Sequence, residues 1–210
     1  MLTTRYKPLI NQAIHPLARA VARLGIAPSA ITLSCVALTA GACFFLLYTR
    51  HIGWFCLIIL VVGSLDALDG AVARAAQKAT KFGSYLDAVC DRYVEILVAA
   101  TVGYLTGYWL EILLFITGSL LVSYTKARAA MEVPVSNQEW PDWMERTERD
   151  MLFIAGLAAG AYLPYRPLGK DLFWWTLAIL IGLIHATVLQ RVVRARRLIQ
   201  ERSAAEEGFH

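Results

Sequence analysis

The sequence predicts an all-α integral membrane protein: six transmembrane helices preceded by an N-terminal amphipathic interfacial helix. Three observations predict it. The 210-residue chain is 58% hydrophobic with a mean hydropathy of +0.52, the composition of a membrane chain rather than a soluble one. Apolar runs recur at 31–49, 52–73, 84–106, 108–130, 150–164 and 172–192, each close to the roughly 20 residues that cross a bilayer. Ahead of them, Ile10, Ile14, Leu17, Val21 and Leu24 recur at alternating spacings of four and three, which draws one apolar stripe along a helix.

Residues 1–27 are the first element. Arg19 and Arg23 fall off the apolar stripe, so the segment reads as a juxtamembrane helix on the cytoplasmic leaflet, an anchor or a clamp on lipid or nucleotide. No cleavable signal peptide is expected, because the first apolar run begins only near Ile31 and lacks a small-residue cleavage pattern. Pro28 ends the amphipathic helix, and Ser29 is expected to cap the first span. Residues 28–197 then hold all six spans in one membrane domain with short connections, and 198–210 form a polar C-terminal tail. Trp54, Tyr108, Trp109, Trp174 and Trp175 lie near run ends, as interface-belt residues do. Of the 20 Lys and Arg residues, all but Arg50, Arg166 and Lys170 fall on one side, which makes that side and both termini cytoplasmic. The cysteines, Cys35, Cys43, Cys56 and Cys90, sit in apolar runs without metal-ligand spacing and read as small buried hydrophobes. His15, His51, His185 and His210 are scattered.

Four aspartates interrupt this apolar pattern. Asp66 and Asp69 are i,i+3 partners, and Asp87 and Asp91 are i,i+4 partners, so each pair shares one helical face. Bare carboxylates at membrane depth cost roughly 2.5–3.5 kcal/mol each, about 10 kcal/mol for the set. Divalent cations with all-oxygen ligands are the obvious compensation, and two of them balance four carboxylates. Intramembrane acids also mark ion pathways, which predicts acids spread across the bilayer. Here the four cluster at the cytoplasmic ends of two neighbouring helices, and no acid continues the path except Glu111, at the far side.

The string Asp66-x2-Asp69-Gly70-x2-Ala73-Arg74-x8-Gly83-x3-Asp87-x3-Asp91 resembles the signature of the CDP-alcohol phosphotransferases, integral membrane enzymes of phospholipid biosynthesis. Every fixed position is filled, which chance achieves at about 10⁻⁹ per start position. The resemblance implies metal-dependent displacement of CMP from a CDP-linked lipid by an alcohol, with Asp66, Asp69, Asp87 and Asp91 holding two Mg2+ ions (Mn2+ also fits the donors). It implies Asp91 as the general base that takes the alcohol proton. Gly70, Arg74 and Gly83, with Asp66 and Asp69, are the expected contacts to the CDP-lipid. Gly70 allows close backbone approach, Arg74 offers a fork of donors to phosphate, and Gly83 opens a helix whose N–H groups favour an anion. Arg74 pairing with a carboxylate or snorkelling to the surface is the plainer alternative.

A second stretch bears on the acceptor. Ser123-Tyr124-Thr125-Lys126-Ala127-Arg128-Ala129 and Glu145-Arg146-Thr147-Glu148-Arg149 resemble the prokaryotic phosphatidylinositol-phosphate and archaetidylinositol-phosphate synthases of that family. The resemblance implies inositol 1-phosphate as acceptor, with Lys126, Arg149 and Arg191 binding its phosphate. Glycerol 3-phosphate is the alternative that uses the same pocket; serine and free inositol do not need so many cations. A basic loop facing anionic lipid also accounts for this stretch. The stretch from Met131 to Met144 is longer and more aromatic than that branch leads one to expect. Homodimerisation and contact with membrane lipids are further implications, and no nucleic-acid partner is expected. Whether the donor lipid is built on diacylglycerol or archaeol is open, since apolar walls do not distinguish ester from ether chains.

Overall fold

The computed structural model describes residues 27–75, 80–133 and 146–207, with the side chains of 67–70, 73–75 and 203–207 outside the description. The expected amphipathic helix at 1–27, the side chains of Asp69, Gly70, Ala73 and Arg74, and most of the stretch from Met131 to Met144 therefore lie outside the described residues. What is described is all-helical: α1 (Pro28–Thr49), α2 (Ile52–Ala75), α3 (Lys81–Thr106), α4 (Trp109–Glu132), α5 (Arg146–Tyr162), a 3₁₀ turn (Pro167–Gly169) and α6 (Leu172–Glu207). Helices α1, α4 and α6 are long and apolar enough to cross a membrane, so this is a membrane protein. Helix α2 has a shorter apolar stretch, Ile52–Asp66. The apolar run of α3 is interrupted by Asp87, Asp91, Arg92 and Glu95, and α5 is 17 residues long with a charged first turn.

Helix ends follow local chemistry. Helix α1 begins at Pro28, with Ala27 as N-cap and no side-chain cap, which corrects the expectation for Ser29. Proline at the first helical position lacks an N–H that would be unpaired there anyway, and its fixed φ suits the helix. Helix α3 does have a side-chain cap: Thr80 Oγ1 accepts from Gly83 N at 2.9 Å. It ends on Gly107, whose φ of 77° is the left-handed conformation that glycine adopts without strain. Helix α6 runs to Glu207, well past the apolar limit at 192, so residues 198–207 of the expected tail continue the helix.

The closely packed pairs are α1–α2, α2–α5, α5–α6, α6–α4, α4–α3 and α3–α1, which close a circuit. All six helices contribute to one buried core, among them Leu46, Phe55, Val102, Phe115, Phe153 and Leu177. Phe153 of α5 stands between Phe115 of α4 (4.9 Å between ring centroids) and Phe173 of α6 (5.3 Å, edge-on). Close approach needs small residues, as is usual between membrane helices. A Cβ on Gly118 would come within 2.6 Å of Ile184, and one on Gly160 within 2.9 Å of the Phe173 backbone.

One end of the bundle is tied by a polar network. Asp171, just before α6, accepts from the Tyr108 hydroxyl and from Trp174 N, each at 2.8 Å. The Trp174 indole donates to Glu111 at 2.6 Å, and Lys170 lies over the Tyr108 and Trp174 rings. Glu111 is thus the partner of an indole at the far end, away from the aspartate motif. All four cysteines are buried and unpaired in disulfides, as their apolar surroundings implied.

Candidate active site

The opposite end gathers the charged residues. Helices α2 and α3 pack on α1 more closely than on each other, so acids on their facing sides meet across a gap. Asp66 comes from α2, and Asp87 and Asp91 from successive turns of α3. One carboxylate oxygen from each lies within 4.8 Å of the others. Three half-buried hard oxygen donors at that separation fit a divalent cation that takes carboxylate ligands. Asp69 lies on α2 three residues after Asp66, with its side chain outside the described set. Gly83 sits one turn before Asp87, and its N–H is committed to the Thr80 cap. Any part it has in binding a lipid phosphate therefore rests on its missing side chain.

Arginines from α5 close over these acids. Arg146 Nη1 donates to Asp91 Oδ2, Nη2 lies 3.9 Å from Asp66 Oδ2, and Nε lies 3.4 Å from Asp150 Oδ2. Arg146 precedes the apolar run at 150–164. Burial alone would lower its pKa, but Asp91, then Asp150 and Asp66, outweigh burial and push it above its ordinary value. The group stays a cation.

Arg149 follows on the same face of α5 and is 2% exposed. Its ion-pair partner among the described residues is Glu95 of α3, at 3.8 Å. Glu95 is one turn beyond Asp91 and buried; it also accepts from Arg92 at 2.6 Å and from Ser119 of α4. One carboxylate thus faces two guanidiniums, and the Arg149 Nε finds no hydrogen-bond partner among the described residues. A buried arginine with a spare donor beside an acid cluster is arranged to receive an anion.

Arg191 of α6 is buried and donates to the main-chain oxygen of Val122 on α4. Ser119, Val122 and Lys126 share one face of α4, so Glu95, Arg191 and Lys126 address the same side of that helix. Arg128, two residues past Lys126, projects from a different face of α4 and pairs with Glu132 on the surface at 2.5 Å. Two site residues escaped sequence reasoning. Glu95 was signalled only by its i+4 spacing from Asp91, and Arg146 by its i−3 spacing from Arg149.

The chain is similar to known proteins in sequence and in fold. Residues 25–183 match the CDP-alcohol phosphatidyltransferase family. The phosphatidylinositol phosphate synthase of Corynebacterium glutamicum is 31% identical over 93% of this chain and 90% of its own. The archaetidylinositol phosphate synthase of Pyrococcus horikoshii is 36% identical over 74% of this chain and 82% of its own. Among solved structures, the Mycobacterium tuberculosis phosphatidylinositol phosphate synthase shares the fold. Its crystal structure with CDP-DAG bound superposes with a TM-score of 0.74 at 22% identity, covering 88% of this chain and 94% of that one. Its complex with manganese and citrate gives 0.74 at 23% identity, covering 87% and 88%.

Proposed function

Because this chain belongs to the CDP-alcohol phosphatidyltransferase family, and is therefore a membrane transferase of phospholipid synthesis, we propose that it moves the lipid phosphatidyl (or archaetidyl) group from a CDP-linked lipid onto inositol 1-phosphate, releasing CMP. The observation that carries this reading is the meeting of Asp66, Asp87 and Asp91 within 4.8 Å, with the buried Arg149 paired to Glu95 one turn past Asp91.

In this reading Asp66, Asp69, Asp87 and Asp91 hold two Mg2+ ions, or Mn2+ with the same donors. Bound there, the metal neutralises the diphosphate and eases departure of CMP. The chain's own residues do the rest. Gly70 and Gly83 leave room for the nucleotide against the ends of α2 and α3, and Arg74 offers a guanidinium to the diphosphate. Lys126, Arg149 and Arg191 bind the acceptor phosphate. The acceptor hydroxyl oxygen forms the new bond to the lipid-linked phosphorus as the bond to CMP breaks, and Asp91 takes the hydroxyl proton. The relatives' names and the excess of guanidinium over carboxylate around Glu95 favour a phosphorylated acceptor.

All six helices span the membrane in this account. The distribution of basic residues favours a cytoplasmic side for the acid cluster and both termini. A homodimer is part of the same reading. The test is CMP release by the purified protein with magnesium and CDP-diacylglycerol, comparing inositol 1-phosphate, glycerol 3-phosphate, serine and free inositol, with the archaeol-linked donor run in parallel. Turnover with inositol 1-phosphate is expected. Turnover with glycerol 3-phosphate alone would keep the aspartate chemistry and reassign the acceptor.

A further inference from the structure

Arg146 faces three carboxylates from two other elements and its own helix: Asp91, Asp66 and Asp150. Two of them, Asp91 and Asp66, belong to the cluster whose ligand oxygens lie within 4.8 Å of one another. A guanidinium that forks between carboxylates of α2 and α3 does, electrostatically, what a cation in that cluster does. The charge balance makes the two alternatives. With Arg146 in place, the four proposed ligand carboxylates, Asp66, Asp69, Asp87 and Asp91, keep three negative charges, enough for one divalent cation but one short of what two balance. A further divalent cation, or one seated between Asp66 and Asp91, would face a like charge at contact range in a half-buried site, where repulsion is weakly screened.

We infer that Arg146 is an exchangeable counter-ion of the acid cluster: loading of divalent cations and departure of Arg146 from Asp91 and Asp66 are one coupled step. This rests on the reading of the cluster as a divalent-cation site. The consequence for the chemistry is a safeguard. Asp91 is the proposed proton acceptor, and the same exchange that admits the cation uncovers it. The base is therefore bared only when the site is charged for transfer. Asp150, 3.4 Å from Nε and outside the cluster, gives the guanidinium a second carboxylate to keep when it lets go.

The experiment measures Mn2+ binding to the full-length protein in micelles by the loss of the free-ion paramagnetic resonance signal, with thermal melts in EDTA and in excess Mn2+. Linkage is reciprocal, so removing the competing cation should tighten metal binding, by roughly tenfold for a coupling of ordinary size. Arg146→Gln is expected to bind Mn2+ about that much more tightly than wild type. It should also melt below wild type in EDTA, with the gap narrowing when Mn2+ is added. Arg146→Lys keeps the charge but loses the fork; its affinity is expected between the two, and it carries the test if the glutamine variant does not fold. Equal or weaker Mn2+ binding in the variants, with the same loss of melting temperature in EDTA and in Mn2+, would make Arg146 an ordinary structural pair and overturn the inference. If wild type and variants alike bind no Mn2+, the divalent-cation reading of the site fails, and this inference falls with it.

Discussion

The two ends of the helix bundle carry polar clusters built from similar residues but balanced differently. At the far end, Asp171 accepts from Tyr108 and Trp174, Glu111 accepts from Trp174, and Lys170 lies over both rings. Each acid there has a neutral donor of its own, and the network joins the α3–α4 turn to the start of α6. At the other end Asp66, Asp87 and Asp91 crowd within 4.8 Å, Arg146 spans two of them, and Arg149 Nε has no hydrogen-bond partner among the described residues. The first network is satisfied within the protein and holds the fold. The second crowds like charges together, an arrangement that the proposed metal and phosphate would balance.

Substitutions at the two ends should therefore separate turnover from stability. The largest effect is expected for Asp91→Asn, which should cut CMP release by about 10²- to 10⁴-fold while CDP-lipid binding is largely kept, since an acid–base group is lost but its shape is not. Full activity in that variant would remove Asp91 as base. Arg149→Ala should destabilise the protein by about 3 kcal/mol, the low end for a broken buried pair because Glu95 keeps Arg92. The same variant should raise the acceptor concentration needed for half-maximal rate far more than that of the CDP-lipid. Equal effects on both substrates would take Arg149 out of the acceptor pocket.

At the satisfied end, Asp171→Ala removes a helix cap and the Tyr108 bond together. Loss of about 2 kcal/mol in chemical denaturation is expected, with kcat per folded molecule unchanged. A fall in kcat would mean that the two ends are coupled. The smallest effect is expected for Arg128→Ala. Its pair with Glu132 is half-exposed, so stability should change by less than about 0.5 kcal/mol. Activity with either substrate should match wild type, which distinguishes Arg128 from Lys126 two residues earlier.

The aspartate motif was legible in the sequence because its chemistry dictates its spacing. Acids at i, i+3 and i, i+4 in apolar runs have few explanations, and the meeting of Asp66 with Asp87 and Asp91 follows from it. The helices were legible from apolar run length, although the ends were not. Pro28 rather than Ser29 sets the start of α1, because φ preference there outweighs a side-chain cap. Helix α6 outlasts its apolar run by four turns because the basic and acidic residues after 192 are themselves good helix formers. Glu95 and Arg146 were illegible for a different reason. Each acts through partners on other helices, Ser119 and Arg149 for the one and Asp91 and Asp66 for the other, and pairing across helices leaves no period in the sequence.

The most direct measurement is CMP release from CDP-diacylglycerol and inositol 1-phosphate by the purified protein, before and after EDTA and after Mg2+ is restored, with Asp66→Asn, Asp87→Asn and Asp171→Ala alongside. The account predicts release that EDTA stops and Mg2+ restores in wild type and Asp171→Ala, and none in the two acid-cluster variants. Release that persists in EDTA, or in Asp66→Asn and Asp87→Asn, would contradict it.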